Sequence, residues 1–232
     1  MWKPKYQVLT ILLMLAFILA ACGGGSSAMS PEELIAASAT HMNDLAGFEF
    51  GLKYDGEPVV MDADGLTKFT SATGQFNAPD QVSATVKASA ASMVVEIKMI
   101  GTNGQQWITN PLTGSWVEVT GQFALEPAKI LNGETGLFAS IAEGLAEIIL
   151  VGEEELEEAP GLMLNHLEGT MTGEPIHDLS GGMIDPGTLD IGLWIDAETL
   201  DVHRVQVEDA TGGTWQLDMW NFGSTFDIQP PL

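Results

Sequence analysis

Residues 47–56 read Gly47-Phe48-Glu49-Phe50-Gly51-Leu52-Lys53-Tyr54-Asp55-Gly56, and this stretch decides the fold class. Apolar Phe48, Phe50, Leu52 and Tyr54 alternate with Glu49, Gly51, Lys53 and Asp55, a period of two that puts one apolar and one wet face on an extended strand. Asp55-Gly56 then signals a turn. Just upstream the period is different. Ser30-Pro31-Glu32-Glu33 has the form of a helix start with proline at the first helical position, and Leu34, Ala37, His41 or Met42, and Leu45 follow at helical spacing. The reading is a helix from Pro31 to Leu45 feeding a half-buried strand.

The alternation returns along the chain. Val82, Ala84 and Val86 face away from Gln81, Ser83, Thr85 and Lys87, and Met93, Val95, Ile97 and Met99 alternate with Glu96 and Lys98. Gly101 to Gly104 turns the chain into 105–109, and Pro111 to Gly114 turns it into 115–119. Residues 127–131 and 136–145 hold helical spacing, the latter through Leu137, Phe138, Ile141 and Leu145. Strands are expected again at 146–151, 161–171, 188–195, 202–208 and 214–222, with a last edge near Phe226. Short antiparallel strands joined by turns, with few helices, give an α+β architecture: a strongly curved antiparallel half-barrel with helices covering its concave face. Glycines inside or beside the expected strands (Gly51, Gly74, Gly169, Gly192) suit a sheet that bends. A curled sheet has a concave side, and the flexible side chains of Met93, Met99, Met163, Met171 and Met219 suit an adaptable apolar cavity as well as a core.

The N-terminus has its own logic. Lys3 and Lys5 precede an apolar run, VLTILLMLAFILA at 8–20, which is too short to span a bilayer and has the form of a signal-peptide core. Leu19-Ala20-Ala21-Cys22 then matches a lipobox, in which the thiol of the chain's one cysteine accepts a diacylglyceryl group before cleavage. The expected organisation is a leader at 1–21, lipidated Cys22 with a Gly/Ser tether to residue 29, and a single domain at 30–232. The tether GGGSSA reaches only about 20 Å when extended. With one cysteine, no internal disulfide can form, and the fold must rest on its core.

Charge limits the partners. The chain carries a net charge of -24, and loss of the leader removes two lysines and no acid. Nucleic acid is excluded as a partner, because phosphate binding needs clustered cations. Apolar residues make up 45% of the chain and are patterned, which argues for a folded core rather than disorder.

Enzyme signatures are absent. His41, His166, His177 and His203 are scattered, neither His-Glu-x-x-His nor Gly-x-Ser-x-Gly occurs, and the adjacent His177-Asp178 is not a triad. Asp62-Ala63-Asp64-Gly65 opens like a calcium loop but lacks the closing bidentate acid, so a turn is the better reading. Glu153 to Glu158 reads as a solvated acidic loop. No metal ligand set and no cofactor motif is assigned. One or two of the indoles at Trp107, Trp116, Trp194, Trp215 and Trp220 would suit a cavity rim.

From about Ser30 to Pro231 the sequence resembles the mycobacterial LppX/LprA/LprF/LprG lipoproteins, whose fold is similar to the LolA and LolB carriers. Three passages carry the likeness: Gly104 to Val117 with Trp107 and Gly114-Ser115-Trp116; Ile130-Leu131-Asn132-Gly133-Glu134-Thr135-Gly136-Leu137; and Leu193-Trp194-Ile195-Asp196 running through Leu200 to Val205. The resemblance implies a half-barrel enclosing an apolar cavity for acyl chains of a lipid or glycolipid, carried on the outer side of the cytoplasmic membrane, with a membrane transporter as a further partner. On that basis the expected cavity lining is Met93, Val95, Ile97 and Met99, then Leu137, Phe138 and Ile141, then Leu193, Ile195, Leu217 and Met219. The alternative is an anchored protein-interaction or envelope-sensing module with a filled core.

Overall fold

The computed structural model describes residues 29–61, 65–90, 93–119, 130 and 135–231. Pro31–Leu232 forms one compact unit. Its elements run α1 (Pro31–Asp44), β1 (Gly47–Asp55), β2 (Thr67–Asn77), β3 (Gln81–Ala90), β4 (Met93–Thr102), β5 (Gln105–Thr109), β6 (Trp116–Val119), α2 (Leu137–Gly144), β7 (Ala146–Glu154), β8 (Leu164–Thr172), α3 (Glu174–Leu179), β9 (Thr188–Ile195), β10 (Val202–Glu208) and β11 (Thr214–Trp220).

Among the described residues all eleven strands belong to one antiparallel sheet, in the order β6-β5-β4-β3-β2-β1-β11-β10-β9-β8-β7. Two meanders, β1 to β6 and β7 to β11, are therefore stitched together by the pairing of β1 with β11. The sheet is open, with β6 and β7 at its edges.

Register shows what the alternation in 47–56 achieves. Leu52 lies opposite Ala72 and Leu217, and successive partners extend this into one row: Ile97, Val86, Ala72, Leu52, Leu217, Val205, Leu193, Leu167 and Leu150. Nine strands thus contribute an apolar residue to a single band, since residues directly opposite share a face. We call this side of the sheet the inner face. Leu34, Ile35, Ala39 and Met42 of α1 and Phe138 and Ile141 of α2 join Leu167, Leu193, Ile195, Val205 and Met219 of this face in one core.

The opposite, outer face is polar over β1, β10 and β11. Arg204 donates to Asp218 Oδ1 at 2.5 Å and to Glu158 Oε2 at 2.7 Å, and Gln216 donates to Asp218 Oδ2 at 2.7 Å. The nearly buried Asp218 carboxylate is thereby matched on both oxygens, which removes the cost of an unpaired buried charge. Trp194 also points this way, stacked on His166 and packed in a small second core with Leu156, Ala159 and Leu164. The C-terminal half of β9, from Gly192 to Ile195, is thus buried on both faces.

Several expectations need correction. Thr67–Asn77 is a long strand where none was expected. Its apolar spacing is broken by a register shift between Phe69 and Ser71, so no continuous alternation marks it. Glu174–Leu179 is a short helix, too brief to show a helical period. No strand forms near Phe226. The extended segment there is clamped by Asn77, whose Oδ1 accepts from Phe226 N–H at 2.9 Å and whose Nδ2 donates to Phe226 O at 2.7 Å. The expected helix at 127–131 lies outside the described residues except for Ile130, which is helical, and of the loop at 62–65 only Gly65 is described. The strand glycines make room for neighbours: a Cβ on Gly74 would meet the Phe50 ring at 2.7 Å, and one on Gly192 the Trp194 ring at 2.9 Å.

Candidate functional site

The core that α1 and α2 share with the inner face contains seven of the eleven expected lining residues, and the four from β4 lie outside it. Phe138, Ile141, Leu193, Ile195 and Met219 are buried members of the main core, and Leu137 and Leu217 pack against it half-buried. Met99 is buried in a smaller cluster with Val82 and Ala84, against which Phe50 and Ile108 pack. Ile97 and Val95 share the inner face by register, opposite Val86 and Ala88, and are half-buried. Met93 continues that alternation but stands at the β3–β4 turn, 64% exposed.

α1 presents a different stripe from the one its spacing suggests. Leu34, Ile35, Ser38, Ala39 and Met42 are buried, whereas Ala37 is only half-buried and His41 turns toward the β9–β10 connection. His41 Nε2 meets Asp201 Oδ1 at 2.9 Å, and Met42 Sδ accepts from Val202 N–H at 3.4 Å. The C-terminal turn of α1 is thus tied to the start of β10. Ile35, Ser38, Ala39 and Val202 belong to the site although the sequence did not single them out. Ser38 reads as a surface residue from its chemistry, and only its i+4 relation to Leu34 and Met42 hints otherwise.

Between α1, α2 and β9–β10 lies a gap of about 10 Å³, lined by Ile35, Ser38, Ala39, Phe138, Ile141, Leu193, Ile195 and Val202. That is room for about one water, against the ~300 to 1,000 Å³ of sites that engulf small molecules. A wider groove of about 490 Å³ crosses the outer face at β7–β10, but its walls include Glu147, Glu168, Asp190 and Glu208. Four carboxylates make it a poor surface for hydrocarbon.

At the rim of the site, His203 sits at the register shift of β10 and its ring meets Phe222 edge-on, with centroids 5.0 Å apart. Burial pushes its imidazole below the usual histidine value of 6.5, partly opposed by Asp201 and Asp196. Among the described residues no cluster of three or more His, Cys, Asp or Glu side chains could hold a metal ion, and no helix is long and apolar enough to cross a membrane. The indoles divide between faces: Trp215 is buried on the inner face against Tyr54, while Trp194 belongs to the outer one.

Comparison with known proteins gives a consistent result. The LppX_LprAFG lipoprotein family profile matches residues 30–228. The crystal structure of LprF from Mycobacterium bovis superposes with a TM-score of 0.67 at 18% identity, covering 87% of this chain and 96% of that one. Mycobacterium tuberculosis lipoprotein LppX gives 0.63 at 13% identity, covering 86% and 98%. No curated protein sequence matches the chain. At such identities the two structures establish a shared fold, and the profile match covers nearly all of 30–232.

Proposed function

Because the chain belongs to the LppX_LprAFG lipoprotein family, we propose that it is a membrane-anchored carrier that takes acyl chains of a lipid or glycolipid between its helices and the inner face of its sheet. The observation that carries this reading is the apolar band of nine strands with α1 and α2 seated on it. In the proposal, Cys22 holds the domain on the outer side of the cytoplasmic membrane, and the carrier performs no catalytic step. A membrane transporter is proposed as the partner that loads or unloads it.

Magnitudes support an opening site. Each large aliphatic or aromatic side chain that α1 and α2 bury stabilises the closed form by about 1.5 to 3 kcal/mol. Leu34, Ile35, Met42, Phe138 and Ile141 together therefore hold the helices down by roughly 7 to 15 kcal/mol. A 15-carbon acyl chain leaving water for an apolar site gains about 12 kcal/mol. The two are on one scale, so a chain can replace the helix contacts it displaces. The proposed lining is Leu137, Phe138 and Ile141 from α2, Leu193, Ile195, Leu217 and Met219 from β9 and β11, and Met93, Val95, Ile97 and Met99 from β4.

The narrowness of the gap favours a second reading, an anchored protein-interaction or envelope-sensing module with a permanently filled core. Native mass spectrometry of the chain from Ser27 onward, purified from cells and then incubated with phospholipid vesicles, separates the two. A lipid-sized mass increment is expected. A ligand-free mass in both samples would sink the carrier and leave the filled-core module.

A further inference from the structure

The buried stripe of α1 contains one polar residue. Ser38 is 1% exposed, and its hydroxyl has no hydrogen-bond partner. It lines the gap whose other walls are Ile35, Ala39, Phe138, Ile141, Leu193, Ile195 and Val202, all apolar. A buried hydroxyl without a partner destabilises the fold that contains it, and alanine at this position would be both free of that cost and a better helix former. Water does not resolve the matter. A buried water needs two to four polar partners, and the side chains of this gap offer one.

Among the described residues, two further buried side-chain polar atoms lack a partner, Trp215 Nε1 and Gln106 Oε1. Register places both on the inner face. Trp215 stands in the row of Tyr54 and Val207, and Gln106 in the row of Gly101 and Val82. Unspent hydrogen-bonding capacity is thus concentrated on the side where the acyl chains are proposed to lie. A ligand of bare hydrocarbon would leave all of it unspent.

We propose that Ser38 is the polar contact of the site and that it donates its hydroxyl hydrogen to the carbonyl oxygen of an ester-linked acyl chain lodged between α1 and β9–β10. The Trp215 N–H is a second donor on the same face. The inference rests on the carrier reading and adds to it a ligand chemistry: chains bearing a carbonyl at their attachment are selected over chains joined by an ether.

The test is a competition on the full chain, purified in detergent and stripped of co-purified lipid. Labelled phosphatidylcholine with two hexadecanoyl ester chains is displaced by its unlabelled diester form or by the diether with the same head group and chain length. The wild type should favour the diester by about three- to tenfold, the worth of one net hydrogen bond. Ser38→Ala should bring that ratio to about one while melting, ligand-free, at the same or a higher temperature. Equal affinity of the wild type for both lipids overturns the inference and leaves the carrier intact, as does a Ser38→Ala protein that keeps the preference. A clear fall in its melting temperature also overturns it, because the hydroxyl would then be a structural group. If the wild type takes up neither lipid, the carrier reading itself fails.

Discussion

His203 shows how a single side chain can give this protein a pH response. Its imidazole is held below 6.5 in the fold by burial against Phe222, so the folded state binds fewer protons than the unfolded chain between the two values. The stability it contributes is complete above pH 6.5 and is lost as the pH falls through that value toward the lower folded one. Urea titrations at pH 7.5 and 5.5 should show a smaller pH-dependent loss for His203→Gln than for the wild type. An unchanged loss would assign the effect to other groups. Gly47 illustrates a different residue-scale constraint: a Cβ there would stand 2.2 Å from Phe76 O, so β1 and β2 can meet only with glycine at that place.

Among the elements, the strands with strict alternation were legible in the sequence and those with a register shift were not. β1, β3 and β4 announce their inner faces through Phe48, Phe50 and Leu52, through Val82, Ala84 and Val86, and through Ile97 and Met99, because one residue in two must be apolar on a face that is covered. In β2 the apolar residues fall at Phe69, Ala72 and Phe76, and the bulge after Phe69 makes their spacing fit no single period. The candidate site divides in the same way. Leu193, Ile195, Phe138 and Ile141 could be found because packing demands apolar side chains at regular intervals. Ser38 could not, since nothing in a hydroxyl's chemistry distinguishes a surface serine from one sealed under a helix. The C-terminal segment reads in the sequence as a last strand edge near Phe226, and no strand forms there. It is held by the Asn77 amide, 149 residues away in sequence, which binds both polar atoms of the Phe226 backbone, with the Gly223 N–H donating to Gly47 O and Ile228 buried. Asn77→Ala should cost about 2 kcal/mol by leaving the Phe226 groups without partners. It should also expose the chain beyond Trp220 to limited proteolysis, read by mass spectrometry, and a variant as resistant as the wild type would show that other contacts hold the segment.

At the scale of the whole molecule, the inner face is continuous across nine strands while α1 and α2 supply core residues to only part of it. Ile97 lies in the same cross-strand row as Leu52 and Leu193 but is half-buried, so a larger side chain can be accommodated without displacing the main core. Ile97→Trp is therefore expected to melt within a few degrees of the wild type and to bind less lipid in the native mass spectrum. Undiminished lipid in the folded variant would remove β4 from the lining.

The joint between β1 and β11 also bears on how the molecule is made. Phe50 and Met219 are neighbours in the sheet although about 170 residues of chain separate them. Loops of that length close slowly, whereas each meander pairs strands that are close in sequence. During synthesis, the strand that unites the two halves is the last to become available. Until it arrives, β1 offers an unpaired apolar edge, a vulnerability that ends only when the final strand docks.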